Sequence, residues 1–412
     1  MKAKHFLKRA LGLIMAAFTL AAAGGCMRRA YAEDLMRGVS AERAEGTAPT
    51  AAACQSMTAF AVKLLQNTVQ DGNSLLSPLC VTSALAMTAN GARGETLAQT
   101  ERALGLTADE LNGFFAYTLA RLDAGRELAL ANSLWIKSNG GFEPSADFLQ
   151  ANARFYRADA YSAPFDDTTA DEINRWVKKS TRGTVPEIID EIDPDAVLYL
   201  VSALAFDAAW ETRYTRDDLW DGEFTTEAGE KREVKFMSSD ENAYLDDGKA
   251  TGFMKPYKGG RYAFAAMLPN EGVSLEEYMS GLDGAALYSL LSNPAKTKVT
   301  VNIPEFTAEF GADLSPALQS MGLTQAFDDG AADFSGMGAS ENGNLFIKQV
   351  VHRTFIEVNE HGTKAGAATV FLMPTNTAAI NPCVTLDRPF LYMLVDLETG
   401  IPFFIGTMAD PA

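Results

Sequence analysis

Residues able to make and break bonds are few in this chain, and their spacing does not suit catalysis. Its histidines are His5, His352 and His361. There is no Gly-x-Ser-x-Gly turn, no His-Glu-x-x-His, no phosphate-binding loop and no Cys-x-x-Cys pair. A Ser–His–acid triad on His352 needs that ring exposed in a cleft, and it sits instead in an apolar strand block. Cys54, Cys80 and Cys383 are too scattered for a disulfide framework or a metal site. The apolar surroundings of Cys80 and Cys383 suggest buried thiols. The chain reads as a non-enzyme without metal or cofactor.

What stands out is a run of small residues. Glu360-His361-Gly362-Thr363-Lys364-Ala365-Gly366-Ala367-Ala368-Thr369 follows a strand-like stretch at 355–358. Ala and Gly are poor strand formers, and the run lacks the large apolar groups that would anchor a helix. Small residues do fit narrow spaces. In an extended segment Thr363, Ala365, Ala367 and Thr369 share one face, and Lys364, Gly366, Ala368 and Val370 the other. The first face is small and uncharged, which suits burial as a new strand inside an existing sheet. A surface linker is the alternative reading of the run taken alone.

The elements around it can be placed by their caps and periods. Thr107-x-x-Glu110 is a capping box, followed by Leu111, Phe115, Leu119 and Leu122 at helical spacing. Thr169-x-x-Glu172 is another, followed by Ile173, Trp176 and Val177 and an end near Gly183. Ser315-Pro316 opens a short helix that stops at Gly322. Residues 196–206 form a long apolar run, as in a strand covered on both faces, and 261–268, 298–303, 390–397 and 401–408 also read as strands. Helices come mostly early and strands mostly late, which gives an α+β class. No Pro/Ser/Gly-rich linker interrupts residues 60–410, so one large domain is expected.

Formal net charge is -18, a poor match to the phosphates of nucleic acid. The first residues look like a targeting segment. Lys2, Lys4, Lys8 and Arg9 precede an apolar run at 10–23, shorter than the ~20 residues a membrane span needs. Ala23-Gly24-Gly25-Cys26 then resembles a bacterial lipoprotein signal. On this reading residues 1–25 are removed and Cys26 carries lipid. Residues 26–56 form a flexible tether, the domain runs 57–412, and the protein is extracytoplasmic and membrane-anchored. Secretion with cleavage after Ala30-Tyr31-Ala32 is the alternative, disfavoured because Arg28 and Arg29 separate that site from the apolar run.

From residue 57 to 411 an ordered series of blocks resembles the serpin family. These are Asn73-x-x-x-Ser77-Pro78, Ser83-Ala84-Leu85-Ala86-Met87, Gly91-Ala92-x-Gly94-x-Thr96, Ala131-Asn132-x-Leu134-Trp135 and Asn174-x-Trp176-Val177-x-x-x-Thr181. Leu200-Val201-Ser202-Ala203 with Trp210, Ala332-Asp333-Phe334-Ser335-Gly336 and Val351-His352-Arg353 follow. Asp387-Arg388-Pro389-Phe390 and Phe404-x-Gly406 close the series.

The resemblance implies three β-sheets, about eight or nine helices and an exposed reactive-centre loop at about 360–386. It implies a monomer that acts as a suicide substrate of serine proteases: the loop is cleaved, its upstream half inserts into the main sheet, and the protease remains as an ester. Glu360, Gly362, Thr363, Ala365, Gly366, Ala367, Ala368 and Thr369 would form the hinge, with the small residues kept by inhibitory members. Counting forward from the hinge puts the cleaved bond at Asn376-Thr377; counting back from Pro389 gives Ala378-Ala379. Residues 370–382 contain no Lys or Arg, which favours elastase-like or subtilisin-like targets over trypsin-like ones. Papain-like cysteine proteases, or a non-inhibitory binding role, are the alternatives. Ser77, Cys80, Ser202 and His352 would form a polar cluster under the main sheet, with Cys80 and Ser202 departing from the usual residues. Trp210 would stand where the loop first inserts. Glu305 replaces a common Lys that pairs with the acid at Glu360, so that salt bridge is expected to be absent and its clasp either replaced or lost.

Overall fold

The structure, a computed structural model, describes residues 32–39, 42–68, 72–122, 125, 127–138, 140–185, 187–193, 196–341, 344–363 and 381–411. Nine α-helices lie among the described residues. Cys26 and the reactive-bond candidates Asn376, Thr377, Ala378 and Ala379 fall outside them, as do hinge residues Ala365, Gly366, Ala367, Ala368 and Thr369.

The centre of the molecule is a six-stranded sheet. Tyr262–Pro269, Phe390–Asp396 and Pro402–Met408 lie within it, buried along their whole lengths. Their near-continuous apolar composition is what two covered faces demand. Helix α1 (Ala51–Thr68) and helix α2 (Pro78–Ala89) pack on this core. A separate four-stranded sheet contains Lys231–Glu241, Val299–Pro304 and Cys383–Thr385.

The main sheet is in two portions. One holds β1 (Glu33–Asp34), β2 (Leu128–Lys137), β3 (Asp159–Ala163) and β4 (Leu198–Phe206), in the order β1-β3-β2-β4. The other holds β5 (Ala208–Ala209), β6 (Phe306–Asp313), β7 (Val351–Asn359) and β8 (Gly362–Thr363), in the order β6-β7-β8-β5. Among the described residues β4 and β7 share no ladder. The two portions meet at one end, where β5 continues the line of β4 and pairs with β8.

Two expectations are revised. The helix expected after a Thr169 capping box is Asp167–Ser180, capped one turn earlier by Asp166, with Thr169 as the third helical residue, closing the box. Glu172 instead accepts the backbone N–H of Ala32 at 2.9 Å. That contact belongs to the second revision. Within 26–56, the described residues from 32 onward are part of the body. β1 is an edge strand on β3 (Glu33↔Ser162, Asp34↔Tyr161), and Leu35, Met36 and Val39 pack against the cluster of Leu134, Ile136 and Ala160. Helix α1 begins at Ala51, ahead of the expected domain start at 57.

Candidate functional site

The hinge begins in strand conformation and already seated. β7 runs to Asn359, the chain turns at Glu360 and His361, and β8 returns antiparallel, pairing Asn359 with Gly362 and Val358 with Thr363. On its other side Gly362 faces Ala209 and Thr363 faces Ala208. Gly362 has φ +149°, and a Cβ there would stand 2.2 Å from the Ala208 carbonyl oxygen. Only glycine fits so close a backbone approach. Thr363 is buried, and its hydroxyl shares a 2.6 Å hydrogen bond with the Tyr257 hydroxyl.

Trp210 closes this end of the gap. It is buried, and its indole Nε1–H donates to the Asn359 carbonyl at 2.9 Å. Tyr257 stacks on it with ring centroids 4.5 Å apart and planes 10° from parallel. The buried ammonium of Lys255 lies 5.4 Å from the Trp210 ring centroid and 4.4 Å from that of Tyr214, and pairs with Glu241 at 2.7 Å. Desolvation by burial lowers its pKa, against the pull of the Glu241 carboxylate. Aromatic faces and one carboxylate supply the attraction that a buried cation requires.

Below β8 the space between β4 and β7 is a cavity of about 110 Å³ whose lining includes Cys80, Ile189, Leu200, Ser202, Leu345 and His352. Its floor is one face of α2, from Cys80 to Thr88. Ser77 caps that helix through a 3.3 Å bond from the Cys80 N–H, and Pro78 opens it. The Ser77 N–H donates to His352 Nε2 at 3.0 Å, so the neutral ring carries its proton on Nδ1. Burial lowers the His352 pKa to about 4 and raises the Cys80 thiol to about 11. The Ser202 hydroxyl, facing the same gap, is buried without a hydrogen-bond partner. Ser83 donates to Asn132 Oδ1 at 2.9 Å, which fastens α2 to β2. Cys80, Ser202 and His352 thus line one cavity, with Ser77 hydrogen-bonded to His352 and Cys80.

The acid at Glu305 has a partner the sequence did not disclose. Glu305 Oε2 lies 3.5 Å from Lys235 Nζ. Of the two outcomes left open for the clasp, replacement or loss, Glu305 finds a new cation in Lys235. Tyr257 was also missed; it follows Pro256 at a strand end, and nothing in the local pattern ties it to Thr363. Cys383 is exposed, contrary to expectation. Strand alternation turns Val384 inward and Cys383 outward.

A family model described as Serpin (serine protease inhibitor) matches residues 55–411. A serpin-like protein of Thermococcus kodakarensis is 31% identical over 353 residues, covering 83% of this chain and 81% of that protein. Leukocyte elastase inhibitor A of Rattus norvegicus is 30% identical, covering 85% of this chain and 97% of that protein. Among solved structures, the thermophilic serpin tengpin in its native state is similar with a TM-score of 0.88 and 40% identity, over 92% of this chain and 100% of that one. The same serpin in its latent state has a TM-score of 0.78, at 38% identity over 89% of this chain and 100% of that one.

Proposed function

Because the chain belongs to the serpin family, we propose that it is a suicide-substrate inhibitor of serine proteases, cut within residues 376–379 and then closed by insertion of the arm that begins at β8. The observation that carries this reading is the register of Gly362 and Thr363. Extending their two ladders down the gap, residue by residue, would set Ala365 between Phe206 and Ile356. Ala367 would fall between Leu204 and Thr354, and Thr369 between Ser202 and His352. The small face meets the inward sides of β4 and β7, and the hydroxyl of Thr369 arrives where the Ser202 hydroxyl lacks a partner. Each inserted residue gains backbone pairing on two sides and covers apolar surface, which favours the inserted state. The greater likeness to a native-state serpin than to its latent state fits an arm still outside the sheet.

The absence of Lys and Arg from 370–382, with Asn, Thr and Ala at the candidate bond, favours elastase-like or subtilisin-like targets, in keeping with the elastase inhibitor among the relatives. Incubation with such a protease should give a complex that survives a denaturing gel and release one C-terminal peptide, whose first residue fixes the bond. Cleavage without complex would assign a non-inhibitory role. We further propose a lipid on Cys26 that holds the protein extracytoplasmically; Cys26→Ala should move it from the membrane to the soluble fraction.

A further inference from the structure

We propose that residues 187–193 are an ion-pair latch across the gap in the main sheet. Asp190 and Asp193, seated on the β4 side, hold Arg353 and Lys348 on the β7 side, so that a strand can enter between β4 and β7 only after these pairs part. The inference rests on the reading of that gap as the place where the arm inserts.

The segment is tied first to the β4 portion. Asn174, on the helix Asp167–Ser180, holds it with three bonds. Its Oδ1 accepts the Ile188 N–H at 2.9 Å and the Ile189 N–H at 3.1 Å, and its Nδ2 donates to the Ile189 carbonyl at 2.7 Å. Ile188 and Ile189 are buried in one cluster with Ile173 and Val177 of that helix and with Val201 and Ala203 of β4. The Asp193 N–H donates to the hydroxyl of Tyr199, also on β4, at 2.8 Å. The acids of the segment then reach the other portion. Asp190 pairs with Arg353 of β7, and Asp193 pairs with Lys348, three residues before β7 begins. β4 and β7 share no ladder among the described residues, yet this segment joins them.

Its place over the gap follows from the strand faces. Along β7, His352 and Thr354 are buried, and alternation turns Arg353 between them to the opposite face, where it meets Asp190 beside the cluster of Val201 and Ala203. Carried on from Gly362 and Thr363, the two ladders would set Ala368 between Ala203 and Arg353, and Val370 between Val201 and Val351. An inserting strand would therefore run beneath the Asp190–Arg353 pair. Ile188, Ile189, Asp193 and Lys348 also line the cavity in the gap. A strand that parts β4 from β7 carries Arg353 and Lys348 away from their acids, and the attraction falls with distance. Both pairs are partly exposed, so neither is strong alone, and both weaken as salt rises. Acting on one tied segment, they form a kinetic restraint that ionic strength adjusts.

Hydrogen exchange of the uncleaved full chain reads the latch at residues 187–193. In the wild type, exchange there should be about fivefold faster at about 0.5 M sodium chloride than at about 0.02 M. Arg353→Gln combined with Lys348→Gln should exchange fast at both. Swapping one pair of charges, Arg353→Asp with Asp190→Arg, should restore slow exchange at low salt. After clean cleavage in 370–382, the double Gln variant should reach a higher-melting form about fivefold sooner than the wild type at low salt. Salt-independent exchange in the wild type would overturn the proposal, as would slow exchange in the double Gln variant, no protection regained by the swap, or equal rates of gain in melting temperature. The exchange measurement needs no protease. A salt-sensitive segment in a chain that forms no complex would thus sink only the inhibitor reading, and a chain that traps protease while 187–193 ignores salt would sink only this inference.

Discussion

His352 is the residue whose isolation has the clearest measurable consequence. It is 5% exposed, accepts one backbone N–H and has a pKa lowered by burial from an ordinary 6.5 to about 4. Above pH 6.5 the ring is neutral in folded and unfolded chains alike, so it contributes no pH dependence there. As pH falls below that value the unfolded chain takes up a proton that the folded one refuses. Stability should therefore drop by up to about 3 kcal/mol between pH 6.5 and pH 4, then level off for this group. Urea unfolding across that range should show the slope in wild type and its loss in His352→Gln, whose baseline stability will be lower. The sequence disclosed much at this scale. Ser77, Cys80, Ser202 and His352 stood in recognisable blocks, and Ser77-Pro78 is a helix start wherever it occurs. Lys235, Tyr257 and Lys255 were invisible because each acts across a sheet boundary. Their partners Glu305, Thr363 and Glu241 lie 14 to 106 residues away in the chain.

At the scale of elements, the face assigned to the hinge from alternation agrees with the one residue pair of it that the structure describes. Thr363 points inward beside Tyr257, so Ala365 and Ala367 follow on the same side if the strand continues. A charge on that side would need burial without a counter-ion, at about 3–5 kcal/mol. Ala365→Arg should leave the chain cleavable but shift it from trapping protease to being consumed, read as the moles of inhibitor needed per mole of protease silenced. Undiminished trapping would place Ala365 on the opposite face. Strand positions in the core were legible to within two residues because continuous apolar runs such as 390–396 admit few alternatives. The helix of Asp167–Ser180 was legible in extent but not in its cap, since Asp166 and Thr169 compete for the same role and both satisfy the pattern. β1 was not legible at all. Its two exposed residues, Glu33 and Asp34, carry no period, and the apolar Leu35, Met36 and Val39 became informative only against the cluster they cover.

For the molecule as a whole, the two-portion sheet is a store of unformed ladder. β4 and β7 face one another across a gap with their pairing groups uncommitted to each other among the described residues. A strand placed between them would complete both. Clean cleavage in 370–382 should accordingly raise the melting temperature well above that of the intact chain, measured by calorimetry on the two forms side by side. An unchanged transition would mean that the severed arm stays out. The α+β class and the family were legible from the order of blocks over the chain, whereas the division of the main sheet was not. Composition fixes which runs are strands, but not which neighbours remain unjoined.

β1 also limits where the protein can stand if Cys26 bears a lipid. From Ala32 onward the chain is bound to the body, which leaves six peptide steps back to Cys26, a mooring of about 20 Å even when drawn out fully. A stand-off that short is smaller than the domain itself. The flank bearing β1 and the Asp167–Ser180 helix would then be the part of the molecule nearest the headgroups.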